Sequence, residues 1–340
     1  MMKKLKVTAR IILLILIPLI AILISLFIGR YHVSVQEVIQ TVAVALGINT
    51  GSASEEVFSV VVYLRLPRVI AAAAVGVGLS VSGASYQGVF KNPLVNSGLL
   101  GVSSGAGFGA ALAIVLFKNM ESTYFLAFAF GILAVVFSYW IARIYKTVPT
   151  IMLILGGTIV SSIFSALTTL LKYLADIESE LPAIVYWLMG SVSSVSYEDF
   201  WALIPIFAGM AVMFLYAWKM NVLSMGDKEA RSMGVDVFKS KLVIVIAATL
   251  STAGAVCLAG VVGWIGLVIP HMGRMIVGND NRKLLPVSAS IGAVFMVVID
   301  TISRSISTSE IPLGVLTAIV GAPFFIVLLK KTKGGGWNAS

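Results

Sequence analysis

Charge is scarce in this chain. Asp, Glu, Lys and Arg make up 11% of its 340 residues, where soluble domains carry about 25%. That deficit excludes a pair of ordinary soluble domains, a disordered chain and a coiled coil. The lone cysteine, Cys257, cannot close an internal disulfide, so no disulfide scaffold is possible and the redox compartment stays unread. The two histidines, His32 and His271, lie far apart from each other and from Cys257. No H-x-x-x-H or C-x-x-C spacing exists, which removes the common zinc motifs. No G-x-x-x-x-G-K-[ST] occurs either, so the chain has no P-loop of its own; if nucleotide energy is used, another subunit must hold it. The apolar runs are nearly free of ionisable residues, with Asp300 the main exception. That argues against a proton- or ion-coupled carrier, and the absence of an Arg-rich run argues against a voltage sensor.

What the chain has in excess is apolar surface. Residues of the AVILMFWYC class make up 59% and the mean hydropathy is +1.02. A core in water could not hide this much, so lipid is the solvent for most of it. Runs long enough to be read as membrane helices occur at 11–29, 69–89, 94–117, 124–144, 151–171, 200–218, 242–262, 265–278, 285–303 and 313–329. The expected fold is therefore an all-α polytopic membrane protein of about ten spans in a single transmembrane domain over 1–340. Residues 31–57 would form an external loop. Ten spans put both termini on one side. Of the 24 Lys and Arg, only Arg30, Arg65, Arg68, Lys118, Lys172 and Arg304 then fall on the other side. The asymmetry makes the termini cytoplasmic. It also explains the +9 net charge as orientation, with no nucleic-acid partner implied. Lys3, Lys4, Lys6 and Arg10 ahead of the first run resemble a signal peptide. The run is too long and lacks an A-x-A site, so it reads as a retained helix.

Small residues recur at four-residue spacing, the pattern that lets helices approach closely in lipid. Gly76, Ser80, Ala84 and Gly88 form one such row; Gly101, Gly105 and Gly109 form another. A third is Ala247, Ser251, Ala255, Ala259 and Gly263. The fifth run carries Gly156, Thr158, Ser161, Ser162 and Ser165, a wall of small hydroxyls suited to passing a large ligand along without holding it. Gly101–Gly105 also fits the G-x-S-x-G nucleophile pattern around Ser103, but neither histidine lies beside it to act as base. The longest hydrophilic stretch on the cytoplasmic side is 221–240. There Asp227 can cap a short helix through Lys228, Glu229, Ala230, Arg231, Ser232 and Met233 that Gly234 closes. That helix is either a solvated surface element or a docking site for a cytoplasmic partner. Arg65 and Arg68 stand where the chain enters the second run, placed to anchor on lipid or to meet a partner's carboxylates.

Three blocks resemble the FecCD-type permeases of ABC importers. They are RLPRVIAAAAVGVGLSVSGASYQGVFKNPLVNSGLLGVSSGAGFGA (Arg65 to Ala110), GWIGLVIPHMGRMIVGNDNRKLLPVSA (Gly263 to Ala289) and IPLGVLTAIVGAPFFIVLLKK (Ile311 to Lys331). The resemblance implies a homodimer in the bacterial inner membrane that carries ferric siderophore, or else haem, cobalamin or molybdate. Two cytoplasmic ATPase subunits would hold the ATP and Mg, this chain binding no cofactor itself, and an external binding protein would deliver the cargo. It further implies docking by Arg65, Arg68 and Arg304 and a cytoplasmic gate at Asn92, Leu94, Pro149 and Thr150. ATPase coupling would run through Asp227, Lys228, Glu229, Ala230, Arg231 and Gly234. A channel or secondary transporter is the alternative from another class.

Overall fold

A computed structural model describes residues 2–48, 54–143, 150–307 and 309–331, and all regular structure among them is helical. The helices in chain order are α1 (Met2–Phe27), α2 (Val35–Ala45), α3 (Glu55–Phe58), α4 (Leu66–Phe90), α5 (Val102–Leu116), α6 (Met120–Ala142), α7 (Thr150–Leu174) and α8 (Glu180–Met189). There follow α9 (Leu203–Leu215), α10 (Ala217–Met225), α11 (Asp227–Ser232), α12 (Val237–Ala259), α13 (Ile265–Val277), α14 (Asn281–Ile306) and α15 (Leu313–Lys331). A π-helical turn, Ser59–Arg65, joins α3 to α4 in one rod of 36 residues, and a 3₁₀ turn, Tyr197–Ala202, leads into α9.

Each of the ten apolar runs overlaps a helix, but the third, expected from residue 94, begins with the turns of 94–101, and its helix starts only at Val102. Among the described residues, six helical stretches are long and apolar enough to cross a bilayer: Glu55–Phe90, Met120–Ala142, Ile151–Leu174, Tyr197–Leu215, Val237–Ala259 and Asn281–Ile306. The chain is a multi-pass membrane protein. Apolar parts of α1, α5, α13 and α15 are shorter. Two further apolar helices stand where the sequence reads as connection. One is α2, inside 31–57, which opens with a capping box between Ser34 and Glu37. The other is α8, a ten-residue helix that is too short for a hydropathy window to register.

Helix α4 is the hub, packed by α9, α12, α13 and α14 and buried along almost its whole length. Small residues make this possible. A Cβ at Gly76 would overlap the Gly292 carbonyl on α14, and one at Gly83 would overlap the Gly266 carbonyl on α13. Lipid tails offer helices no hydrophobic drive to associate, so such close backbone contact and the hydrogen bonds it brings hold them together. Ser80 Oγ donates to the Ser288 carbonyl at 2.9 Å, and Ser138 Oγ on α6 donates to the Leu100 carbonyl at 2.9 Å. Gly105 and Gly109 of α5 likewise lie against the Phe130 and Leu126 carbonyls of α6. Gly263 is the exception among the small-residue rows. It lies past the end of α12 with open space where a Cβ would stand, so no packing requires a glycine there.

Candidate translocation path, coupling face and arginine cluster

Arg65, Arg68 and Arg304 come together, but not as exposed charges. They are 5%, 7% and 6% exposed, so they are held inside the bundle and do not stand free at its surface for lipid or a partner. The π-turn ending at Arg65 turns its guanidinium inward, where it donates to the Leu26 carbonyl at 2.7 Å and the Tyr31 carbonyl at 2.6 Å. Arg68 Nε donates to Asp300 Oδ1 at 2.8 Å, and its terminal nitrogens reach the Glu310 carboxylate at 2.6 and 2.9 Å. Arg304 donates to the Ser25 carbonyl at 2.6 Å and lies 3.8 Å from Asp300 Oδ2. Three guanidiniums and two carboxylates thus staple the end of α1 to α4 and α14. Burial of so many charges is tolerable because most of their hydrogen-bonding groups are met. The i, i+4 spacing of Asp300 and Arg304 is legible in sequence; Glu310 and Ser25, far apart along the chain, are not.

The α7 hydroxyls divide. Thr158, Ser162 and Ser165 are exposed and Ser161 is half-buried. Gly156 is not on that wall. It is buried against the Ser138 carbonyl of α6, so its missing side chain serves packing. Beside the wall, Ser103, Ser104 and Gly107 of α5, Ser165, Thr168, Thr169 and Lys172 of α7, Leu188 and Val261 enclose a cavity of about 290 Å³. Ser103 therefore faces hydroxyls and an ammonium, and no histidine is among the lining residues. Near this cavity several helices break. Ser191 N–H donates to the Ala259 carbonyl, and Leu313 N–H to the Gly190 carbonyl, each at 2.9 Å. Non-helical backbone within a membrane bundle is stable only where protein or a wet cavity satisfies it.

At the far end of α4, Lys91 closes the helix in the left-handed region (φ 50°). Asn92 Oδ1 then accepts the Leu94 N–H at 3.0 Å in an Asx turn, leaving the Leu94 side chain 56% exposed. The Gln87 amide steadies this turn by donating to the Val95 and Gly266 carbonyls, while its oxygen accepts from Arg274. Of the other gate candidates, Pro149 lies outside the described residues and Thr150 is the first residue of α7.

The short helix in 221–240 exists as α11 and ends as expected. The Gly234 N–H (φ 76°) bonds the Arg231 carbonyl and the Val235 N–H bonds Ala230, a glycine-closed C-cap. Its start differs. Gly226 occupies the cap position, and Asp227 is the first helical residue, its carboxylate 2.8 Å from Lys241 Nζ and 3.9 Å from Lys91 Nζ. Ala230 is fully buried and seats the helix, while Lys228, Glu229, Arg231 and Gly234 lie toward its outer side. Sequence reasoning missed the clasp behind it. Asn221 donates to Asp280 Oδ1 at 2.7 Å and accepts from the Asn281 backbone at 2.8 Å, tying α10 to the first turn of α14. Burial pushes the Asp280 carboxyl up, but the Asn221 amide, the Arg282 N–H and the charges of Lys283 and Arg282 outweigh it and leave it below its ordinary value. Among the described residues, no three His, Cys, Asp or Glu side chains gather as a metal site.

Comparison with known proteins agrees with this architecture. The chain is 40% identical over 329 residues to a Haemophilus influenzae protein named molybdate import system permease protein MolB, covering 95% of this chain and 96% of that one. It is 41% identical over 269 residues to a Halobacterium salinarum protein named cobalamin import system permease protein BtuC, covering 78% and 72%. A solved ABC transporter structure in an inward-facing conformation, described as of metal-chelate type, superposes with a TM-score of 0.84 at 36% identity, over 95% of this chain and 99% of that one. The model of the FecCD transport family matches residues 15–331. This chain belongs to the FecCD transport family.

Proposed function

We propose that the chain is the permease subunit of an ABC importer, with no enzymatic activity of its own. Two copies enclose a path for a metal-containing cargo delivered by an external binding protein. The observation that carries this reading is the match to permease chains from end to end, in sequence and in fold. The arrangement of sites supports it. One end presents α11, a short helix seated by Ala230 and showing a charged face to a cytoplasmic ATPase. The other end carries the arginine cluster. There, carboxylates of a binding protein would compete with Asp300 and Glu310 for Arg68 and Arg304, with Arg65 holding the end of α1. Asn92 and Leu94, with Pro149 and Thr150, would close the cytoplasmic side, and Thr158, Ser161, Ser162 and Ser165 would line the path. In this reading ten helices cross a bacterial inner membrane with both termini in the cytoplasm, and ATP and Mg bind the partner subunits. Ferric siderophore remains the proposed cargo. The names of relatives span molybdate, cobalamin and iron chelatin, so haem, cobalamin or molybdate is the second reading.

The test is reconstitution of the chain with and without its ATPase and binding protein in proteoliposomes. Uptake should require all three and ATP inside the ATPase compartment. Uptake by the chain alone, indifferent to ATP, refutes the proposal.

A further inference from the structure

The cavity between α5 and α7 has a chemical bias that a neutral passage would lack. Lys172, in the last turn of α7, is half-buried in its wall and has no ion-pair partner among the described residues. No carboxylate lines the cavity. The nearest acids in sequence are engaged elsewhere. Glu180 lies 2.9 Å from Lys118, and Asp176 accepts the Glu178 and Ser179 N–H groups at 3.1 and 2.8 Å. Glu178 is exposed on the loop beyond. The hydroxyls sort by what they can still offer. Thr168 and Thr169 give their protons to the Phe164 and Ser165 carbonyls at 2.8 and 2.9 Å. Ser103, Ser104 and Ser165 have no partner for theirs among the described residues. The cavity therefore presents one ammonium and three free O–H donors, with no counter-charge.

A cation entering such a cavity would meet repulsion, and a neutral apolar group would strand the donors. An anion rich in oxygen acceptors would satisfy both the charge and the O–H groups. We propose that this cavity is an anion-selecting station on the translocation path, in which Lys172 and the three serines receive a metal oxyanion or the oxygen face of an anionic metal chelate. The inference rests on the path reading above and narrows its cargo to the anionic class. A low-dielectric wall strengthens the field of a single lysine, and a station of this kind raises the local concentration of cargo without holding it tightly.

The experiment measures the sign of that field in the assembled transporter. Ser165→Cys places a thiol in the cavity, and the only native cysteine, Cys257, is fully buried. Labelling by an anionic methanethiosulfonate is compared with labelling by a cationic one, each normalised to a free thiol. The anionic reagent should be favoured by about tenfold, the effect of one partly screened charge acting oppositely on the two reagents. Adding Lys172→Gln should abolish the preference, Lys172→Arg should keep it and Lys172→Glu should reverse it. Equal rates, or a preference for the cation, overturn the anion assignment while leaving the path intact. An introduced thiol that neither reagent reaches, at rest or during turnover, overturns the path and the station together. Uptake of molybdate and of a ferric tris-catecholate then separates the two sources of anion. Whichever is carried should slow at least about fivefold in Lys172→Gln and recover in Lys172→Arg. Carriage of a neutral corrinoid at the same rate in Lys172→Gln, with neither anion carried, also overturns it.

Discussion

Asp300 offers the sharpest test of what holds the arginine end together. Its carboxylate is fully buried, 2.8 Å from Arg68 Nε and 3.8 Å from Arg304 Nε. With an effective dielectric near 20, those separations correspond to gross attractions of about 6 and about 4 kcal/mol. Desolvation of the three ions offsets most of this, at several kcal/mol per ion. Asp300→Asn keeps the shape and removes the charge. Arg68 retains its two bonds to Glu310, but Arg304 loses the one carboxylate within 4 Å of it among the described residues and keeps its bonds to Ser25, with Glu310 acting only at longer range. Breaking a buried pair from one side costs about 3–5 kcal/mol, and the surviving Glu310 contact places this variant at the lower bound. The thermal midpoint of detergent-solubilised protein should fall by on the order of 5 °C. The double variant Asp300→Asn/Arg304→Met removes the stranded charge and should recover part of that loss, because an absent pair costs less than half a pair. A single variant that melts with the parent refutes the reasoning. So does a double variant no better than the single, because stranded charge would then not be the cause.

Gly83→Ala should cost about 1–3 kcal/mol by overpacking, since the new methyl would overlap the Gly266 carbonyl, whereas a Cβ at Gly88 meets the Asn281 side chain at an ordinary 3.6 Å. Gel-filtration yield and thermal midpoint of Gly83→Ala and Gly88→Ala should differ accordingly; equal behaviour would deny α4 its role as hub. Ala230→Lys should cut co-purification with the ATPase by about tenfold, because a buried ammonium unseats α11, while Lys228→Ala on its outer side should have a far smaller effect. The α10–α14 clasp should be insensitive to pH through the neutral range. The Asp280 carboxyl is lowered from its ordinary 3.8, so its contribution is present above that value and lost only as pH falls through the lowered one. Hydrogen exchange in the first turn of α14, corrected for its intrinsic pH dependence, should rise only in that acid range; Asn221→Ala should raise it at neutral pH.

The membrane class, the helical runs and the small-residue faces were legible in the sequence because each is a local property. A bilayer demands apolar length from every segment on its own, and close packing in lipid demands small side chains at a repeat of four. The closure of α11 by Gly234 was legible for the same reason. Tertiary structure decided everything that depends on which helix meets which. It turned Arg65, Arg68 and Arg304 inward onto Ser25, Leu26, Asp300 and Glu310, and it moved Gly156 from the wall to the α6 interface. It also set Lys172 and Ser103 in one cavity although the whole of α6 lies between them in the chain. Charge in a bundle takes its meaning from the partners within a few ångströms, because Coulomb energy in a low dielectric depends on distance through space. The order of residues along the chain does not encode that distance.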